Sequence, residues 1–317
     1  MKDNGDGTTS LDLTQIPALA QYLNDTGVHW IFSAGSTGES VDLTVAERKE
    51  MAEAWVKIAP KFGQRVIVHV GADSVVDARD MAAHAQSIGA NAIAAMPPTY
   101  IKPLTVEALV ATIASVAGAA PDLPYLYYHI PSCTGVSFKM FDFVQLADGA
   151  IPNFRGIKFT DFNLDDFQFC LNYAFQSDKA AYKGQKLNML FGRDQYAMSA
   201  FVLGCHGAVG TTYNWNGELQ NHVLDAVNRG DLETARAAQL ATARFVKIGE
   251  AFGVDVQPGA YGWKAVMKAI PAAPDMGPPR LPYLAATDAS TAKLAAQIKA
   301  WCAETPATVR PSYCATM

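Results

Sequence analysis

The chain has 317 residues, of which 50% are hydrophobic and 17% charged, with a net charge of −5. That composition fills a large core and excludes a disordered chain, and the acidic balance offers no basic footprint for nucleic acid. The segment Met1 to Ser10 is polar and carries no apolar signal region, and no run approaches the roughly 18 apolar residues of a membrane span.

Short apolar, β-rich runs alternate with longer amphipathic ones. Strands are predicted at His29–Gly35, Arg65–Gly71, Ala92–Pro98, Tyr125–Pro131, Phe154–Thr160, Leu187–Arg193 and His206–Thr212. Helices are predicted at Leu11–Asn24, Thr44–Ala59, Ser74–Ile88, Val106–Ala117, Lys139–Leu146 and Tyr196–Leu203, and after the last strand at Gly217–Arg229, Leu232–Ala251, Tyr261–Ala269 and Thr291–Trp301. Such alternation marks βα units, and the near-continuous apolar strands suit a parallel sheet covered on both faces. An open doubly wound sheet and a barrel both satisfy the pattern, but no GxGxxG opens a helix as a dinucleotide fold requires. The reading divides the chain into a (β/α) barrel with its following helices over 1–270, a proline-rich segment and helix over 271–304, and a loose tail over 305–317. The cysteines, at 133, 170, 205, 302 and 314, are odd in number and form no CxxC pair. They read as reduced thiols of a cytoplasmic protein, not as a zinc site or a disulfide framework.

Chemistry-bearing residues gather at the C-terminal ends of these strands, the face on which barrel active sites are built. After the first comes Gly35-Ser36-Thr37-Gly38-Glu39, a turn whose N–H groups and two hydroxyls suit an anion, although many strand-to-helix turns look alike. In Tyr127-Tyr128-His129-Ile130-Pro131, alternation sends one tyrosine inward and one outward. An inward phenol is either a proton relay or a core aromatic, and His129 reads as structural. In Phe154–Thr160, Gly156, Lys158 and Thr160 share one face and Ile157 and Phe159 the other. An inward lysine, shielded from water, can act as the neutral amine that attacks a ketone. A strand-end lysine can equally snorkel to solvent or pair with Asp161. The glycine-rich run Gly207–Tyr213 lets a ligand approach the backbone.

GSTGE at 35–39, YYHIPSCTG at 127–135, GIKFTD at 156–161, GAVGTTYN at 207–214 and MGPPRLP at 276–282 together resemble the pyruvate-dependent, class I aldolase family, in its animal-type N-acetylneuraminate lyase branch. The resemblance runs in order from about Gly5 to Pro282. It implies a TIM (β/α)8-type barrel with C-terminal helices, and a Schiff-base aldolase that splits N-acetylneuraminate to pyruvate and N-acetylmannosamine. It makes Lys158 the imine-forming residue, Tyr128 the proton shuttle and Thr160 the helper at the C4 hydroxyl. Ser36 and Thr37 would hold the substrate carboxylate. Gly192, Asp194 and Thr211 would meet the sugar tail, and Tyr100 would reach a neighbouring subunit's site. A homotetramer and no metal or organic cofactor are further implications.

The chain departs from that pattern in three places. Gln195 stands where the animal-type pattern has an acidic residue, which puts the tail preference in play. Cys133 stands where dihydrodipicolinate synthases carry an arginine, which argues against that activity. The family's first strand would precede Met1, so seven strands are expected, with a gap between His29–Gly35 and His206–Thr212. The alternatives are an aldolase of another 2-keto-3-deoxy sugar acid, and an inactive truncated homologue.

Overall fold

The computed structural model describes residues 1–176, 186–256 and 262–317. A short antiparallel pair, β1 (Lys2–Asp3) and β2 (Thr9–Ser10), leads into α1 (Ile16–Asp25). Then come β3 (Trp30–Ser33), α2 (Val45–Ile58), β4 (Arg65–His69), α3 (Val75–Ser87), β5 (Ala92–Ala95), α4 (Val106–Ala117), β6 (Tyr125–His129), a single turn α5 (Pro131–Thr134), α6 (Met140–Ala150) and β7 (Phe154–Phe159). The chain continues through α7 (Leu164–Gln176), β8 (Asn188–Phe191), α8 (Ala197–Val202), α9 (Tyr213–Asn228), α10 (Leu232–Val256), α11 (Trp263–Ala269) and α12 (Asp288–Glu304). Strands β3 to β8 form one parallel sheet in chain order, curled as in a TIM-type barrel and wrapped by helices.

The helices begin where a side chain can satisfy the first free N–H groups. Thr44 and Glu47 close a capping box on α2, and Ser74, Thr105 and Thr287 cap α3, α4 and α12. Alternation along the strands separates two sets of side chains. Val66, Val68, Ile93, Ala95, Tyr127, Ile157 and Phe159 join the large cluster packed against the helices. Ile67, Ala92, Ala94 and Leu126, with Phe32 and Leu190, fill the inside of the curled sheet. Lys158 is therefore an inward residue, as the strand parity requires.

Four expectations change. The segment His206–Thr212 is not a full strand: it touches the sheet through one bridge, Phe191 to Ala208, and the Asp194 carboxylate fills the space that a Cβ on Gly210 would need. As the sequence reading expects, among the described residues no strand pairs with the outer edge of β3. Helix α7 went unpredicted, although Phe167, Cys170, Leu171 and Ala174 place a helical stripe in the core. The segment 305–317, expected as a loose tail, is packed: Val309 and Tyr313 are buried, and Tyr313 donates to Asn216 Oδ1 at 2.7 Å. That return of the chain also brings Cys314 onto α12, where it forms a disulfide with Cys302. The reading of five reduced thiols is corrected to one disulfide and three free cysteines, Cys133, Cys170 and Cys205. Tyr261, where the helix now seen as α11 was expected to start, lies outside the described residues. Among the described residues no helix is long and apolar enough to cross a membrane.

Candidate active site

Lys158 and Tyr128 are Cα partners across β6 and β7. Both side chains point inward and are almost wholly buried. The Lys158 ammonium nitrogen lies 4.0 Å from the centre of the Tyr128 ring and 4.1 Å from that of Phe32. The amine thus sits between two aromatic faces, shielded from water. Its burial rules out snorkelling to solvent, and Asp161, the partner the other reading offered, lies 3.7 Å from His129 Nε2. His129 belongs to the outward face, packed on Phe159 and Tyr127. Burial lowers its pKa to about 4, against the opposing pull of Asp161, so it is a neutral structural residue. Tyr127 is the outward tyrosine, against Phe143 at 4.4 Å.

The turn after β3 closes over this pair. Ser36 Oγ and Tyr128 Oη are 3.3 Å apart, and Thr37 Oγ1 and Thr211 Oγ1 are 2.8 Å apart. Ala34 and Glu39, at the two ends of the turn, both adopt positive φ, 57° and 54°, a costly conformation for residues with a Cβ. The buried Glu39 is held by an ion pair with the partly exposed Lys264 on α11, at 2.7 Å. Burial raises the Glu39 carboxyl above its ordinary range, and the Lys264 charge opposes that.

On the other flank stand Thr160, Gly192, Asp194 and Gln195. A Cβ on Gly192 would collide with Thr160 Oγ1, and one on Gly210 with the Asp194 carboxylate, so both positions require glycine. Asp194 accepts from Thr212 N–H at 2.8 Å; burial raises its carboxyl, opposed by the Thr212 bonds and the Lys158 charge. Among the described residues Thr160 Oγ1 and Asp194 Oδ1 are two of the buried polar atoms without a hydrogen-bond partner, and each lies against the backbone of one of these glycines. Gln195 is half-buried in the turn that follows. Nine of the ten expected site residues therefore fall at the C-terminal ends of β3, β6, β7 and β8 or at the Ala208 bridge. Tyr100 does not: it is 88% exposed on the loop after β5, whose backbone is tied by Asp73.

Three neighbours went unnamed in the sequence reading. Phe32 supplies the second ring over Lys158. His69, inward by its parity with Ile67, packs edge-on to Tyr128 at 5.7 Å. Arg193 lies over the Phe162 ring at 4.3 Å and donates to Ser132 Oγ at 3.1 Å. Alternation along β4 was the signal for His69 and alternation along β3 the signal for Phe32; nothing in the sequence marked Arg193.

The model of the Dihydrodipicolinate synthetase family matches residues 4–301. N-acetylneuraminate lyase of Mus musculus is 38% identical over 287 residues, covering 89% of this chain and 86% of that protein. N-acetylneuraminate lyase of Xenopus tropicalis is 40% identical over 279 residues, covering 87% and 86%. The native structure of the sialic acid aldolase from Aliivibrio salmonicida superimposes with a TM-score of 0.83 at 30% identity, covering 95% of this chain and 93% of that one.

Proposed function

Because this chain belongs to the dihydrodipicolinate synthetase family, we propose that its strand-end cluster is the active site of a class I aldolase that reversibly cleaves N-acetylneuraminate to pyruvate and N-acetylmannosamine. The observation that carries this reading is the buried Lys158 amine, set against the Tyr128 ring while the Tyr128 hydroxyl meets Ser36.

In this reading the Lys158 amine attacks the C2 ketone and water leaves, giving a protonated imine. Tyr128 takes the proton of the C4 hydroxyl as the C3–C4 bond breaks. The bonding pair moves into the imine to form an enamine, and N-acetylmannosamine leaves as the aldehyde. The enamine is then protonated at C3, and water releases pyruvate and restores the amine. Ser36 and Thr37 hold the carboxylate, and Thr160 supports the C4 oxygen. Gly192, Asp194, Gln195 and Thr211 shape the tail site. The imine is itself the electron sink, so the chemistry calls for no metal or organic cofactor. We assign the enzyme to the cytoplasm. We also assign it a homotetramer, in which Tyr100 reaches a neighbouring subunit's site.

A second reading, cleavage of another 2-keto-3-deoxy sugar acid, draws on Gln195 and Arg193, a neutral amide and a cation beside Asp194. The test is to supply N-acetylneuraminate and a panel of such acids and to quantify pyruvate and aldehyde. Equal amounts of pyruvate and N-acetylmannosamine support the first reading. Pyruvate from another acid alone supports the second, and no pyruvate from any contradicts both.

A further inference from the structure

We propose that His69 is a positioning residue that sets both halves of the catalytic pair, the carboxylate-holding turn and the Tyr128 ring, through its neutral Nδ1–H tautomer. The inference rests on the aldolase reading for its kinetic consequence, but its geometry stands on its own.

His69 ends β4 and is only 1% exposed. Its Nδ1 lies 2.7 Å from the Ala34 carbonyl oxygen. A carbonyl can only accept, so Nδ1 carries the proton. Nε2 in turn accepts from the Met96 N–H at 3.3 Å, which requires that nitrogen to be unprotonated. Both ring nitrogens are thus used, and the tautomer is fixed by its partners. Arg48 Nη2 also comes within 3.4 Å of Nδ1, but a guanidinium can only donate, and the much shorter 2.7 Å contact to the Ala34 carbonyl decides the proton's place. Arg48 donates to the His69 carbonyl at 2.7 Å and to the Gly71 carbonyl at 2.8 Å, so it braces the backbone beneath the ring while its positive charge disfavours a second cation. Lys158, across the barrel, acts in the same sense. Burial, then these charges, hold the imidazole well below its ordinary pKa.

The Ala34 carbonyl is not an ordinary acceptor. Ala34 has φ 57°, and a left-handed alanine persists only where its surroundings over-determine it. Gly35, Ser36 and Thr37 follow at once. Swinging the Ala34–Gly35 peptide would carry the two hydroxyls with it. The other bonds of the turn, Glu39 N–H to Ser36 O and Ser40 N–H to Gly35 O, close it on itself. The His69 bond anchors it to the neighbouring strand. The same ring meets Tyr128 edge-on at 89° and Phe32 at 6.0 Å, the two rings that flank the Lys158 amine. One imidazole therefore stands behind both partners of the Ser36–Tyr128 contact.

The consequence is selective. Pyruvate and the keto-sugar acid share the carboxylate that the turn would hold; N-acetylmannosamine lacks it. In the condensation direction, His69→Leu should raise the KM for pyruvate by about fivefold to tenfold, the size of one lost hydrogen bond, and leave the KM for N-acetylmannosamine within about twofold. His69→Asn places an amide N–H where Nδ1 stands and should recover most of the pyruvate KM. His69→Gln reaches instead to the Nε2 position and should not. Equal movement of both KM values, or an Asn variant no better than the Gln variant, would overturn the proposal. Crystal structures of the folded Asn and Gln variants supply a readout free of activity: Ala34 should keep positive φ in the first and lose it in the second. An unmoved turn in His69→Gln would overturn the positioning role. If the unmodified enzyme turns over neither substrate, the aldolase reading has failed, and the structures alone still decide the role of His69.

Discussion

The Lys158 amine stands 4.0 Å from the centre of the Tyr128 ring, and the two residues are paired across neighbouring parallel strands. Backbone register thus fixes their spacing, with no loop between them to blur it. A site built on strands holds its geometry better than one built on loops, and each property below depends on that rigidity.

Removing the Tyr128 hydroxyl tests the proton relay. The ring of Tyr128→Phe can still pack against Phe32 and His69, so binding should change by no more than a few-fold. Turnover should fall about 100- to 10,000-fold, the range for a positioned acid–base group. Steady-state cleavage of N-acetylneuraminate by the folded variant measures both, and near-normal turnover would reduce Tyr128 to a core aromatic.

The tail site should respond without disturbing the bond-breaking step. Gln195 can donate as well as accept, whereas a carboxylate only accepts, and Arg193 adds a cation next to it. Gln195→Glu should therefore alter the relative rates on N-acetylneuraminate, its N-glycolyl analogue and shorter keto acids. A uniform change across the panel would contradict a tail-specific role.

Much of this site was legible because strands alternate. Parity put Lys158 on the face opposite Ile157 and Phe159 and split Tyr127 from Tyr128, the family resemblance chose which face was inner, and the structure has Ile157, Phe159 and Tyr127 outward and Lys158 and Tyr128 inward. The same rule would have found His69, but its use depends on the left-handed backbone at Ala34, which no periodicity encodes. His206–Thr212 reads as a strand by composition, yet Asp194 packs where a side chain at Gly210 would go, and only Ala208 reaches the sheet. The tail was misread because its apolar residues are sparse. Val309 and Tyr313 are too few to make a pattern, but each finds a buried place against helices far back in the chain. The Cys302–Cys314 pairing follows from that return and was invisible in the spacing of the cysteines.

The tail predicts a redox-sensitive stability. The disulfide joins residues 12 apart, and a closed loop of that size constrains the unfolded chain by roughly 3 kcal/mol. It also holds Tyr313 on Asn216. Cys314→Ser should melt at a lower temperature than the oxidised protein, and a reductant should lower the melting point of the latter only. Identical melts with and without reductant would contradict the account.

Buried neutral histidine gives a pH dependence of definite sign. His69 is held well below the ordinary 6.5 by burial and the Arg48 charge, and burial brings His129 to about 4. As pH falls through about 6.5, the unfolded chain takes up protons on both while the folded protein does not. The unfolded state then binds more protons, so these two groups lower stability as pH drops from about 6.5 toward 4. Urea titrations should show wild type losing more stability across this window than His69→Asn, by about 1.4 kcal/mol per pH unit at most. Parallel curves would mean that His69 is not held neutral.

The most direct test of the account is covalent capture of pyruvate. Borohydride reduction in the presence of pyruvate should add one pyruvate-derived mass, and peptide mapping should place it on Lys158. Lys158→Ala should fold, take up no adduct and cleave nothing. An adduct on a different lysine, or none on a folded protein, would contradict the claim that Lys158 is the catalytic amine.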